Sequence, residues 1–135
     1  MAQSVTPQGN VVPNPWVPGD LLIIGETAFG SLTIEGGGAT ASNSAYIGDM
    51  AGAEGIVTVT GAGSQLGVGS YLAVGASGEG HLTIADGGIV TSYVASVAGE
   101  PDGTGTLTVS GTGSRFEVGH WLFVGDFGEG HMIVE

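Results

Sequence analysis

The chain contains no cysteine, no lysine and only one arginine among its 135 residues. Without cysteine there are no disulfides, no thiolate chemistry and no zinc fingers. A single basic residue, Arg115, stands against 13 acidic residues, so the formal net charge is −12. This balance excludes nucleic-acid binding, which needs Lys and Arg to neutralise phosphates. Anionic membranes and acidic polysaccharides are repelled as well, whereas calcium, cationic groups and neutral sugars remain compatible partners.

Long apolar runs and helical periodicity are also missing. No stretch of 18 consecutive apolar residues is present, so no membrane-inserted helix is predicted. The 28 glycines oppose helix formation, because each costs about 1 kcal/mol within a helix. Proline is scarce after residue 18, since four of the five prolines fall within residues 1–18. We predict that residues 1–18 form either a flexible leader or an N-terminal cap, with Trp16 in the core of the first coil.

A short phrase recurs every 25 residues. Its copies are GSLTI, GIVTV, GHLTI, GTLTV and GHMIV, which begin at Gly30, Gly55, Gly80, Gly105 and Gly130. Within each copy two apolar residues flank a central residue, threonine in four of the five, as in a strand with one buried face. The similarity is closer at 50 residues, because GDLLIIG, GSYLAVG and GHWLFVG start at positions 19, 69 and 119. A two-coil unit is therefore predicted as the true repeat.

A fixed interval of this length is typical of a solenoid, in which each repeat packs on its neighbours. At about 3.3 Å per residue, 25 residues give a circuit of roughly 80 Å, enough for three strands and three turns. We predict an all-β, right-handed parallel β-helix over residues 19–135, with three short strands per coil and nearly five coils. Two internal columns are expected at the 25-residue spacing: Leu32, Val57, Leu82, Leu107 and Met132, and Leu22, Ile47, Leu72, Val97 and Leu122.

The last strand of the sequence, Met132–Val134, leaves its coil unfinished. An open strand edge exposes backbone N–H and C=O groups that invite strand addition. We expect either a segment truncated from a longer solenoid or a unit that stacks end to end through Met132, Ile133 and Val134.

Acidic residues concentrate in one predicted turn, which holds eight of the 13: Glu26, Asp49, Glu54, Glu79, Glu100, Asp102, Asp126 and Glu129. We interpret this edge as a solvated surface that keeps the rod soluble. Weak calcium binding is the alternative, with Glu54, Glu79 and Asp102 as candidate ligands.

Histidine follows glutamate in two GEGH phrases, at Glu79–His81 and Glu129–His131. These pairs are two coils apart, or about 9.6 Å, which is too far to share one ion. No transition-metal site and no cofactor are therefore predicted.

Catalytic motifs are absent, including G-x-S-x-G, G-x-G-x-x-G, the P-loop and H-E-x-x-H. One arginine is poor material for a polysaccharide lyase, and the acids that could serve glycoside hydrolysis fall in repeating turns. We predict a non-enzymatic protein, with a polysaccharide-processing enzyme as the less favoured alternative.

Aromatic residues are expected on one outer face of the solenoid, at Tyr46, Tyr71, Trp121 and Phe123. Strand alternation points their neighbours inward and these side chains outward. Exposed aromatic area is typical of a covered surface or of a contact surface for proteins or sugars.

Phrases such as GSLTIEGGG, LAVGASGEGHLTIADGG and GTGTLTVSGTGSRFEVG resemble the passenger repeats of bacterial autotransporters (type V secretion), especially adhesin-like ones. The resemblance covers residues 19–135, with a departure at Val97–Ala98–Gly99. It implies a β-helix exported through the outer membrane of a Gram-negative bacterium and displayed at the cell surface. The implied function is adhesion or self-association, through a protein or neutral glycan on a host or neighbouring cell. A unit that stacks into filaments is the alternative.

Overall fold

A computed structural model describes residues 4–12 and 19–135, and these residues form strands and turns without any helix. The strands are β1 (Ser4–Gly9), β2 (Val11–Val12), β3 (Gly19–Ile24), β4 (Phe29–Glu35), β5 (Ala39–Ile47), β6 (Glu54–Thr60), β7 (Gln65–Val74), β8 (Glu79–Ala85), β9 (Ile89–Val97), β10 (Thr104–Ser110), β11 (Arg115–Val124) and β12 (Glu129–Val134). Accordingly, none of the described residues belongs to a helix that could cross a membrane.

The strands form two sheets of six. The first sheet has the order β1-β4-β6-β8-β10-β12, and the second has the order β11-β9-β7-β5-β3-β2. Among the strands β3 to β12, every pairing is parallel and joins strands of successive coils. The chain is therefore a β-solenoid of about five turns with coils of about 25 residues, which confirms the predicted fold class.

The first sheet keeps the 25-residue register throughout. Gly30, Gly55, Gly80, Gly105 and Gly130 stand opposite one another in successive strands. The predicted internal column of Leu32, Val57, Leu82, Leu107 and Met132 is confirmed in the same register, and its first four members are buried. Met132 is 37% exposed because β12 is the last strand of this sheet.

The second sheet does not keep the 25-residue register. Leu22 pairs with Ala45, 23 positions on, and Ala45 pairs with Leu72, 27 positions on. Ile47 pairs with Ile24 and Val74 instead. The prediction of a single column here is therefore wrong, because its members belong alternately to two different columns. The predicted members were Leu22, Ile47, Leu72, Val97 and Leu122. The spacing between paired residues alternates between 23 and 27 positions from one pair of coils to the next. The register therefore returns every 50 residues.

Three strands per coil were predicted, but each coil contributes two. The longer of the two contains the expected second and third strands. In β5 the register shifts between Ser42 and Ser44, and β7 shifts between Val68 and Tyr71. Such a bulge bends a strand without ending its pairing. The expected turn between these two segments is therefore replaced by a bend within one strand.

The N-terminal strands run against the others. β1 pairs antiparallel with β4, and β2 pairs antiparallel with β3, so they cover the outer edge of the first coil in both sheets. Between them the Asn10 side-chain oxygen accepts hydrogen bonds from the backbone N–H groups of Glu26 (2.7 Å) and Thr27 (2.8 Å). Residues 1–3 and 13–18, including Trp16, lie outside the described residues.

Candidate functional site

Two carboxylates stand side by side where β6 and β8 begin. Glu54 and Glu79 are directly opposite in the parallel register, so their backbones are about 4.8 Å apart. His81 lies two positions after Glu79, and residues two apart on a strand share a face. The Glu54, Glu79 and His81 side chains all reach solvent on the outer face of the first sheet.

The three side chains converge at their tips. The His81 Nε2 atom lies 3.1 Å from Glu79 Oε1 and 3.8 Å from Glu54 Oε2. One ligand atom from each residue lies within 4.8 Å of the other two. In the described part of the chain, this is the one cluster of three such side chains close enough to share a metal ion.

The cluster borders a groove of about 340 Å³ between the turns of successive coils. The groove is lined by Gly52, Ala53, Glu54, Ser77, Gly78, Glu79, Asp102 and Thr104. The three predicted calcium candidates, Glu54, Glu79 and Asp102, therefore share one groove. Arg115 is the only Lys or Arg of the chain, and it pairs with Glu117 at 3.2 Å. Among Lys and Arg side chains, none is available to neutralise this groove.

One acid of the same set of turns has a perturbed pKa. Burial raises the pKa of the Asp49 carboxyl above its ordinary value of 3.8, and the nearby charge of Glu26 raises it further. Glu26 directly follows Gly25, and Asp49 directly follows Gly48 in the next coil. The Asp49 backbone N–H donates a hydrogen bond to the Gly25 carbonyl. Stacking of successive turns therefore sets these two acids beside each other.

The second GEGH phrase lacks the third ligand. His131 Nε2 lies 3.3 Å from Glu129 Oε1, much as in the first phrase. The residue opposite Glu129 in the preceding coil is Thr104, whereas the residue opposite Glu79 is Glu54. The contact between His81 and Glu54 was not predicted, because the two GEGH phrases bear only on the distance between their own pairs. The 25-residue spacing of Glu54 and Glu79 was the signal that reveals it.

The predicted aromatic residues share the outer face of the second sheet but form two pairs. The ring centroids of Tyr46 and Tyr71 are 6.0 Å apart, and those of Trp121 and Phe123 are 6.3 Å apart. Val94 pairs with both Tyr71 and Trp121 in the sheet register, so it stands between the pairs.

Two further rings, those of Tyr93 and His120, extend the pair formed by Trp121 and Phe123, and neither was predicted. The His120 ring stacks on Tyr93 at 5.1 Å with an interplanar angle of 5°, and it lies 4.3 Å from the Trp121 ring. Both lie at the bulge that shifts the register between β9 and β11. Period-two alternation fails at a bulge, so it could not assign them to this face. We call Tyr93, His120, Trp121 and Phe123 the aromatic patch.

The predicted stacking edge lies on β12. Met132 and Val134 pair with Leu107 and Val109 on one side of that strand, and Ile133 lies between them. All three of its apolar residues are exposed, with Val134 the most open at 69%. An apolar hollow of about 300 Å³ beside Met132 and Val134 opens at this end of the core.

Comparison with known proteins identified no relative of this chain. No family model, curated protein or solved structure significantly matches the chain. The resemblance to autotransporter passenger repeats therefore stays a prediction from the sequence.

Proposed function

We propose that this chain is a non-catalytic, surface-displayed β-solenoid segment of an autotransporter-type passenger, which mediates adhesion or cell–cell association. The proposal includes export through the outer membrane of a Gram-negative bacterium. A protein or a neutral glycan is the proposed ligand, because a formal charge of −12 repels anionic surfaces.

The aromatic patch is the observation that carries this proposal. Trp121 is 58% exposed and Phe123 is 39% exposed, although both rings are large and apolar. Exposed apolar area of this kind marks interaction sites, and aromatic side chains bind at a low cost in conformational entropy. The parallel coils beneath it supply a rigid support, since the core residues Leu72, Val74 and Val97 are buried.

Sedimentation velocity over a range of concentrations, together with binding to intact cells, tests the proposal. We expect Trp121→Ser with Phe123→Ser to weaken association and cell binding. The matched control is Thr58→Ser with Thr83→Ser on the outer face of the first sheet, which we expect to leave both unchanged. If the aromatic double variant behaves as the parent does, the patch is not the contact surface. Protease treatment of unpermeabilised cells tests surface display, since a displayed chain is cleaved and an internal one is protected.

End-to-end assembly is the second candidate, favoured by the exposed apolar residues of β12. A strand added there would pair with the outer edge of β12 and cover the apolar hollow. The N–H groups of Glu129 and Glu135 donate to the preceding coil, so by alternation the Val134 N–H lies on the open edge. Val134→Pro removes that donor and disfavours pairing. We expect it to block growth of large assemblies in light scattering if stacking occurs, and to leave contacts through the aromatic patch intact.

A further inference from the structure

We propose that Glu54, Glu79 and His81 form a binding site for a divalent transition-metal ion, and that Zn²⁺ is the ion suited to this ligand set. This site is separate from the proposed contact surface, because it lies on the first sheet and the aromatic patch lies on the second. It also departs from the sequence-based prediction that the chain holds no transition metal.

The distances between the three ligand atoms suit a tetrahedral ion. Zinc binds imidazole nitrogen and carboxylate oxygen at about 2.0–2.2 Å, so two ligand atoms of a tetrahedral site lie roughly 3.4 Å apart. The observed separations from His81 Nε2 are 3.1 Å to Glu79 and 3.8 Å to Glu54, on either side of that value. Small rotations of these partly exposed side chains would equalise them. The groove beside them leaves room for a water molecule as the fourth ligand.

The mixture of ligands selects the kind of ion. Calcium takes six to eight oxygen ligands, and magnesium demands an octahedron of oxygens. One imidazole with two carboxylates offers neither, whereas imidazole suits zinc and its neighbours in the first transition series. The pattern of three protein ligands with one open position is found in zinc sites that retain a water molecule.

The charge distribution gives the folded chain a reason to bind a cation here. Like charges directly opposite in a sheet destabilise it, and the register fixes Glu54 opposite Glu79. Asp102 adds a further acid to the same groove. Because the one arginine is paired elsewhere, a bound cation would relieve this repulsion. An ion that bound only the folded state would stabilise it.

The chain carries its own control for the number of ligands. Glu129 and His131 reproduce the Glu79–His81 pair, with 3.3 Å between their tips, but Thr104 replaces the third ligand. Among the described residues, a site that requires three ligands therefore exists once. Thr104 is exposed, so glutamate there would create a second set of the same three residue types in the same register.

The test uses protein without an affinity tag, treated with EDTA and dialysed, and titrated with Zn²⁺ by calorimetry at pH 7. We expect one equivalent to bind to the parent. His81→Gln and Glu54→Gln should each weaken binding at least tenfold, while the matched control His131→Gln should not change it. Thr104→Glu should bind a second equivalent. Co²⁺ as a spectroscopic probe should show the intense visible bands of a tetrahedral complex in the parent and not in His81→Gln.

Several results would overturn the proposal. Equal Zn²⁺ binding by the parent and His81→Gln would mean adventitious binding to the acidic surface. Equal losses in His81→Gln and His131→Gln would remove the requirement for three ligands. Calcium binding as tight as zinc, and unaffected by His81→Gln, would assign the groove to a carboxylate calcium site. No binding at all would leave His81 as an ion-pair partner of the two glutamates. The gain expected in Thr104→Glu does not depend on how the loss variants fold.

Discussion

Gly75 and Ala98 occupy the same turn position in successive coils, and both have a positive φ, 76° and 63° respectively. Val74 and Val97, which precede them, are direct partners in the second sheet. Glycine fills the equivalent position in the other described coils, at Gly25, Gly48 and Gly125. Ala98 is therefore the member of this column that carries a Cβ in a left-handed conformation.

The two residues should respond differently to exchange. In Gly75→Ala the new Cβ would meet the Thr104 carbonyl oxygen, and the left-handed conformation adds about 1–2 kcal/mol of strain. We expect a loss of at least about 2 kcal/mol in the free energy of unfolding. Ala98→Gly relieves the same strain, but it loses about 0.8 kcal/mol for a buried methyl group and about 0.4–1 kcal/mol of backbone entropy.

The net effect expected for Ala98→Gly is within about 0.5 kcal/mol of zero. Urea denaturation followed by circular dichroism measures both variants. Equal destabilisation by the two substitutions would show that the turn at Ala98 depends on its methyl group, contrary to this account.

The register of the first sheet was predictable from the sequence, whereas the register of the second sheet was not. In the first sheet, Gly55 and Gly80 mark a constant register, so residue number alone places Leu82 beside Val57. In the second sheet the bulge varies between coils, and Leu22 pairs with Ala45 rather than Ile47. A bulge has no fixed residue type, so the sequence carries only its indirect trace, the closer similarity at 50 residues.

The candidate site was partly predictable for the same reason. Glu54 and Glu79 lie on the regular sheet, and their pairing follows from the 25-residue spacing. Tyr93 and His120 lie at a bulge, and their stacking depends on where the one extra residue of β11 places the rings. Side-chain placement at such a bend is decided by local packing that alternation does not record.

Asp49 should make stability depend on pH. Its folded-state pKa is raised above 3.8, so the charged form disfavours folding at neutral pH. The stabilisation from its protonated form is complete below the unfolded pKa and is lost as pH rises through the folded pKa. We expect Asp49→Asn to raise the melting temperature at pH 7 and to lose this advantage below pH 3.8.

Glu26→Gln is the control, because it removes the smaller cause of the shift and leaves the burial of Asp49 intact. Its gain at pH 7 should be the lesser of the two. Thermal melts of both variants and the parent between pH 3 and pH 8 make the comparison. A benefit of Asp49→Asn that is constant across this range would contradict the raised pKa.

Shortening a side chain in the first internal column should lower the free energy of unfolding more where that side chain is more deeply buried. Leu82 is 1% exposed, with Val57 and Leu107 on its two sides, whereas Met132 has a neighbour on one side. Leu82→Ala should cost about 3–5 kcal/mol through lost burial and a cavity. Met132→Ala should cost about 1 kcal/mol, because its side chain is already in part solvated. Chemical denaturation of both variants measures the difference, and equal costs would argue against the graded core.

The Tyr71 hydroxyl lies 2.6 Å from the Ser96 hydroxyl, and Ser96 is 3% exposed. Tyr71→Phe would leave the Ser96 Oγ buried without this partner, at a cost of about 1–3 kcal/mol. Ser96→Ala in the Tyr71→Phe background should recover most of that loss, since a methyl group needs no partner. A double-mutant cycle by urea denaturation tests this expectation. If Ser96→Ala recovers nothing, the loss in Tyr71→Phe comes from altered packing between Tyr46 and the ring at position 71, and the hydrogen bond has no measurable role.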